Sequence, residues 1–155
     1  MLFRSTHISL YFPHHHDIDS QNNGKALASA ALTLGGQETI LVVDDEIALL
    51  NLSTEILRQQ GYKVIPVSSS LQALEVLKST PINLLLSDVI MPEMDGYQLA
   101  SRVQVQYPEV KIQLASGFTD DRHADKLSPS LIDNIIQKPF NIKDVLTRIR
   151  TLLDE

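Results

Sequence analysis

The sequence predicts an α/β protein: a doubly wound, five-stranded parallel sheet with helices on both faces. Three observations predict it. Short apolar runs alternate with longer stretches of helical periodicity, and the pair recurs five times between residues 38 and 155. The runs are almost continuously apolar, as strands buried between two helical layers must be. Charged and small polar residues stand just past the runs, where open α/β sheets carry their working groups.

The first run is Ile40-Leu41-Val42-Val43. A helix is expected from Glu46 to Gln60, with Ile47, Leu50, Thr54 and Leu57 facing inward and Gly61 closing it. Val64-Ile65-Pro66-Val67 reads as a second strand, and Pro66 places it at an edge or a bulge. Ser68 to Ser70 offer N-caps to a helix that turns Leu71, Leu74 and Leu77 inward. The third strand, Ile82 to Leu86, runs straight into Asp88. A helix over 95–106 follows, with Leu99, Val103 and Tyr107 along one side, and Asp95-Gly96 serves as its turn and start. Ile112 to Ala115 is the fourth strand. Asp120 to Leu127 is a short polar helix whose Asp120, Asp121 and Asp125 form a solvated face. Asn134 to Gln137 is the fifth strand, and Asn141 caps a last helix with Val145, Ile149 and Leu152 inward. Crossovers between the strands are expected to be right-handed.

Before Gly35-Gly36 the pattern is weak. Residues 1–37 read as an N-terminal tail and linker, with a short helix over 26–33, and residues 38–155 as the domain. His14-His15-His16 is read as linker rather than a metal site. The 155-residue chain leaves room for one domain and a tail, and 43% apolar with 21% charged residues is ordinary for a globular protein. With no cysteine there is no disulfide framework or thiolate metal site, which fits a reducing, cytoplasmic setting. The first 37 residues carry Arg4 and Lys25 against Asp17 and Asp19, so the domain holds the whole net charge of −6. An acidic domain without a basic stripe argues against direct nucleic-acid binding. No apolar run reaches the roughly 20 residues of a membrane helix, and the start is not a signal peptide.

The chemistry lies at the strand ends. Asp44-Asp45 follow the first strand, Asp88 the third, Ser116-Gly117 the fourth and Lys138-Pro139 the fifth. In a doubly wound sheet these loops share one crevice, so three carboxylates meet a hydroxyl and an ammonium. Two like charges about 4 Å apart repel by about 4 kcal/mol at an effective dielectric near 20. A hard divalent cation relieves that repulsion, and an oxygen-only site with room for water suits Mg²⁺. Lys138 is a point cation for phosphate oxygens. A carboxylate can be the nucleophile that forms an acyl phosphate, in a reaction that needs mostly positioning and charge neutralisation.

The stretch Ile40-Leu41-Val42-Val43-Asp44-Asp45-Glu46, then Ser87-Asp88-Val89-Ile90-Met91-Pro92-Glu93-Met94-Asp95-Gly96, then Ala115-Ser116-Gly117, then Lys138-Pro139-Phe140 resembles the receiver domain of response regulators and hybrid histidine kinases. The resemblance covers about residues 38–153. It implies a flavodoxin-like sheet of strand order 2-1-3-4-5. It also implies a phosphoryl-accepting switch of a two-component phosphorelay, taking its phosphoryl group from a phosphohistidine with Mg²⁺ as cofactor. By the resemblance Asp88 is the phosphoacceptor, and Asp45, Asp88 and the carbonyl of Ile90 are direct Mg²⁺ ligands. Asp44 holds a metal-bound water. Ser116 is the hydroxyl that turns toward the phosphoryl group. Lys138 is the phosphoryl-binding lysine, and its bond to Pro139 is cis. Ile135 stands where many receivers carry the aromatic that swings on activation, so an aromatic swing is not expected as the output device here. Ile90 and Phe118 occupy the rim positions that would orient an attacking water. Neither has a polar side-chain atom, so slow loss of the phosphoryl group is expected.

The implied partners are a histidine kinase or a histidine phosphotransfer protein, and a homodimer stays open. The chain is not expected to be a turnover enzyme. Ser5 to Pro13 resembles the closing strand of a histidine-kinase ATP-binding domain, which suggests a remnant at 3–13 and a hybrid sensor kinase as the parent. No output domain is expected after Glu155. The signal would then leave through the face made by the 120–127 helix, the fifth strand and the last helix, or pass to a phosphotransfer protein. Three other classes fit the sequence less well. A degenerate, scaffold-only receiver would have lost an acidic or lysine position, and none is lost. A haloacid-dehalogenase-type phosphatase wants Asp-x-Asp after its first strand, where this chain has adjacent Asp44-Asp45. A dinucleotide fold lacks its glycine signature after Val43.

Overall fold

The structure, a computed structural model, describes residues 34–117 and 135–155. The expectations for residues 3–13, His14 to His16, the 26–33 helix, Phe118, the 120–127 helix and Asn134 lie outside the described residues.

The elements run β1 (Thr39–Val43), α1 (Ile47–Gln59), β2 (Lys63–Val67), α2 (Ser70–Ser79), β3 (Leu84–Asp88), α3 (Gly96–Gln106), β4 (Lys111–Ser116), β5 (Ile136–Gln137) and α4 (Ile142–Asp154). The strands form one parallel sheet in the order β2-β1-β3-β4-β5. Pro66 lies in β2 at the sheet's edge, where its missing N–H removes no ladder bond.

Alternate residues of each central strand feed two cores. Leu41, Val43, Leu85 and Leu114 pack with Ala73 and Leu77 of α2 and Leu99, Ala100 and Val103 of α3. Ile40, Val42, Leu84 and Leu86 pack on the other side with Leu50 and Leu57 of α1 and Val145, Leu146 and Ile149 of α4. Full burial of one such side chain stabilises by about 1.5–3 kcal/mol, so each helix is held mainly by its apolar stripe.

The helix boundaries follow local chemistry. Ser69 and Asp95 cap α2 and α3 by accepting from the backbone N–H of Gln72 and Gln98, and Asn141 caps α4 by accepting from that of Lys143. Gly61 ends α1 at φ +93, a conformation that favours glycine.

Two inward expectations are corrected. Ile47 and Leu71 are exposed, at 56% and 51%. Both sit on the first turn of a helix. Side chains tilt toward a helix's N-terminus, which in a parallel unit points past the carboxyl ends of the strands, so nothing lies beneath them. The third strand also begins later than its apolar run suggests, at Leu84, although Ile82 is buried.

At the amino edge of the sheet the segment before β1 is tied down. The Tyr62 hydroxyl donates to the Leu34 carbonyl at 3.1 Å, and the Gly36 N–H donates to the Gln60 carbonyl at 3.2 Å. Arg150 of α4 donates to Glu38 at 2.8 Å and pairs with Asp154 at 2.8 Å. A Cβ on Gly36 would meet the side chains of Glu38, Arg150 and Tyr62.

Candidate functional site

Three backbone bonds lace the carboxyl ends of the strands together. The Asp44 N–H donates to the Val67 carbonyl, Val89 N–H to Ala115, and Lys138 N–H to Ser116. The loops expected to converge are therefore fixed side by side. Asp44 follows β1, Asp88 ends β3 and Ser116 ends β4, while Lys138 directly follows β5.

Asp44, Asp45 and Asp88 each offer a carboxylate oxygen, and these oxygens all lie within 4.8 Å of one another. Lys138 Nζ reaches Asp88 Oδ1 at 2.7 Å and Asp44 Oδ2 at 3.1 Å. The second oxygens of both acids take backbone bonds: Glu46 N–H donates to Asp44 Oδ1 at 2.9 Å, and Ile90 N–H donates to Asp88 Oδ2 at 3.1 Å. Asp44 is buried and Asp88 half-buried, whereas Asp45 is exposed. Among the described residues Asp45 has no hydrogen bond or ion pair. Its carboxylate faces the cluster uncompensated.

The charge balance perturbs the groups. Burial pushes the Asp88 carboxyl above its usual range. Lys138 opposes the shift, and the charges of Asp44 and Asp45 reinforce it. Burial works to depress the Lys138 ammonium, but its hydrogen bond and attraction to Asp88, and then those to Asp44, hold it above the ordinary lysine value. One ammonium thus pairs with two of the three carboxylates. Among the described residues the pocket has one bridging cation too few, which is the chemistry of a site that fits a hard metal ion with oxygen ligands.

Ser116 is buried at the end of β4, beside the strand that leads to Lys138. Ile90 is 52% exposed at the pocket's rim, and its partner in the rim argument, Phe118, lies outside the described residues. The Lys138–Pro139 bond is cis. Ile135 packs against the core cluster of α2 and α3. The structure also shows a contact that sequence reasoning missed. Of the three cap candidates Ser68 to Ser70, Ser69 is the cap, and the buried Ser70 hydroxyl donates to the Met94 carbonyl at 2.8 Å. Two residues 24 positions apart with no shared motif gave no sign of that pairing.

Residues 40–150 match the response regulator receiver domain, and the chain belongs to that family. It is 31% identical over 114 residues to the response regulator receiver protein CpdR of Brucella abortus, covering 74% of this chain and 95% of that protein. It is 32% identical over 127 residues to the sensor kinase CckA of the same organism, covering 81% of this chain but 13% of the kinase. A CheY-like receiver domain structure from Methanospirillum hungatei matches with a TM-score of 0.69 at 29% identity, covering 77% of this chain and 95% of that one. The response regulator TrrA from Thermotoga maritima, solved in complex with Mg(2+)-BeF, matches with a TM-score of 0.67 at 28% identity, covering 75% of this chain and 99% of that one. The domain is a signalling switch of two-component systems. Among the described residues no helix is long and apolar enough to cross a membrane.

Proposed function

We propose that Asp88 accepts the phosphoryl group and that Asp44, Asp45, Ile90, Ser116 and Lys138 serve that reaction. The observation that carries this reading is the cluster of three carboxylates beside a lysine that bridges two of them, Asp44 and Asp88. An Asp88 oxygen attacks the phosphorus of a phosphohistidine. A new O–P bond forms as the P–N bond breaks, and the electron pair leaves with the imidazole nitrogen. Asp88 is suited to the attack because the Ile90 N–H fixes its carboxylate in orientation.

Asp45 and Asp88, with the Ile90 carbonyl, would hold Mg²⁺ directly, and Asp44 would hold one of its waters. The ion supplies neutralisation of the carboxylates and of the transferred group. Lys138 exchanges part of its pairing with Asp88 for phosphoryl oxygens. Ser116 donates its hydroxyl to the same group. Because Ile135 has no aromatic ring to rotate, the signal travels with the shift of Ser116 rather than with an aromatic flip.

The donor is a histidine kinase or histidine phosphotransfer protein. The exposed Ile47 and Ile90 beside the carboxylates give it an apolar surface to rest on. The parent is a hybrid sensor kinase working at the cytoplasmic side, with residues 1–37 as its linker; the likeness of 81% of this chain to part of the sensor kinase CckA supports the kinase parent. Acetyl phosphate with Mg²⁺ tests the site. Lys138→Ala retains Mg²⁺ binding, because the metal's ligands remain, yet its phosphorylation falls by about 10²-fold or more, as the loss of one preorganised charge in such a site does. Phosphorylation at the unaltered rate would remove Lys138 from the mechanism.

A further inference from the structure

We propose that Ser70 is a positioning residue for the phosphoryl site: from the start of α2 it fixes the β3–α3 loop, and so sets where Ile90 and Asp88 meet the metal. The inference rests on the metal reading given above.

The β3–α3 loop runs from Val89 to Asp95 and carries Ile90. It is closed on itself at the base. The Gly96 N–H donates to the Val89 carbonyl at 2.8 Å. A Cβ on Gly96 would run into the Asp88 carbonyl, so α3 starts against the back of the acceptor residue. Within the loop Met94 N–H donates to the Pro92 carbonyl at 2.8 Å, and Glu93 takes φ 66, a left-handed conformation that a residue other than glycine adopts at a cost. Such a bend persists when its surroundings hold it.

Ser70 does part of the holding. It is 2% exposed, and its hydroxyl donates to the carbonyl of Met94, next to the strained Glu93. Met91 and Met94 are buried beneath the loop, so its exposed residues, Ile90, Pro92 and Glu93, stand on an anchored base. The α2 end of the bond is itself fixed. Ser69 caps the helix, and the Val67 carbonyl accepts from Asp44 N–H. Ser70 thus ties the β2–α2 turn, already bonded to the first acid, to the loop that follows the acceptor. Removing its hydroxyl leaves a buried carbonyl without that donor and frees the loop to relax away from the metal side.

The test uses the full chain and two variants, Ser70→Ala and Ser70→Gly, so that one misfolding variant does not decide it. Hydrogen exchange of the Ile90 and Gly96 amides is followed without Mg²⁺, and Mg²⁺ affinity is measured by titration. The expected result is faster exchange at both amides, unchanged exchange in β1, and an affinity weakened by about fivefold, the size of one neutral buried hydrogen bond. A lowered melting temperature with unaltered Mg²⁺ affinity overturns the inference, because a merely structural bond would do only that. Unaltered exchange overturns it too. Asp45→Asn separates the two failures. If it loses Mg²⁺ and Ser70→Ala does not, only the role of Ser70 falls. If Asp45→Asn binds Mg²⁺ like the unaltered chain, the metal reading falls and takes this inference with it.

Discussion

The two edges of the sheet each carry a cluster of ion pairs, and the clusters are built on opposite principles. At the amino edge Arg150 faces Glu38 and Asp154, and one oxygen of Glu38 is bound by the guanidinium at 2.8 Å. That hydrogen bond holds the Glu38 carboxyl below its usual value against the opposing effect of burial. At the carboxyl edge burial wins, and Asp88 stands above its usual range even though Lys138 touches it. The difference teaches where to look for function. The amino-edge acid gains from folding, as a structural ion pair should. The carboxyl-edge acid gives up its proton less readily than in water, and a proton or a bound cation relieves its charge.

The largest expected effect that separates the edges is on metal binding. Asp45→Asn weakens Mg²⁺ binding by about tenfold more than Asp44→Asn, because Asp44 already spends its oxygens on Lys138 and the Glu46 N–H while Asp45 does not. Calorimetric titration of both variants checks this, and an equal loss, or a larger one in Asp44→Asn, counts against it. Arg150→Ala does the reverse. It leaves phosphorylation of Asp88 unchanged and lowers unfolding free energy by about 1–2 kcal/mol, since Glu38 Oε1 loses the guanidinium that bonds it while Oε2 already lacks a partner. Denaturant titration reads the loss, and a change in phosphorylation rate would break the division between edges.

The smallest effect is a pH dependence. Glu38 has a depressed pKa in the fold, so its stabilisation is fully present above the ordinary value of 4.5 and is lost as pH falls through the lower folded value. Arg150, Asp154 and Tyr62 are the charged and titratable groups around it. The stability gap between the unaltered chain and Glu38→Gln should narrow below that pH, and a gap that widens there would contradict the pairing. A separate rate sharpens the carboxyl edge: Ile90→Asn, which puts a polar group on the rim, should speed loss of the phosphoryl group after donor removal.

The fold was legible because its signals are local. Apolar runs marked the strands, Pro66 marked an edge, and Asp95, Asn141 and Gly61 marked helix ends through chemistry that acts within a few residues. Helical periodicity identifies the inward face of α1 but not where the sheet beneath it ends, so it does not show that Ile47 is exposed. The acid cluster was legible for a different reason. Topology alone brings the ends of parallel strands together, so Asp44, Asp45, Asp88 and Lys138 could be assembled from their positions after strands. Ser70 to Met94 and Arg150 to Glu38 were not legible. Each pair joins residues far apart in the chain, and neither serine beside a helix nor arginine within one announces its partner. The same local reading could not tell Ser69 from Ser70, one a cap and the other a tie between loops.

If the carboxyl-edge cluster serves to phosphorylate Asp88, the modification should be seen directly on the protein. The most direct test is intact-mass spectrometry of the full chain after incubation with acetyl phosphate and Mg²⁺, for the unaltered protein and Asp88→Asn. The expected result is a single added phosphoryl group in the unaltered protein, lost when Mg²⁺ is chelated beforehand, and none in Asp88→Asn. An Asp88→Asn chain that still gains the phosphoryl group at the unaltered rate would contradict it.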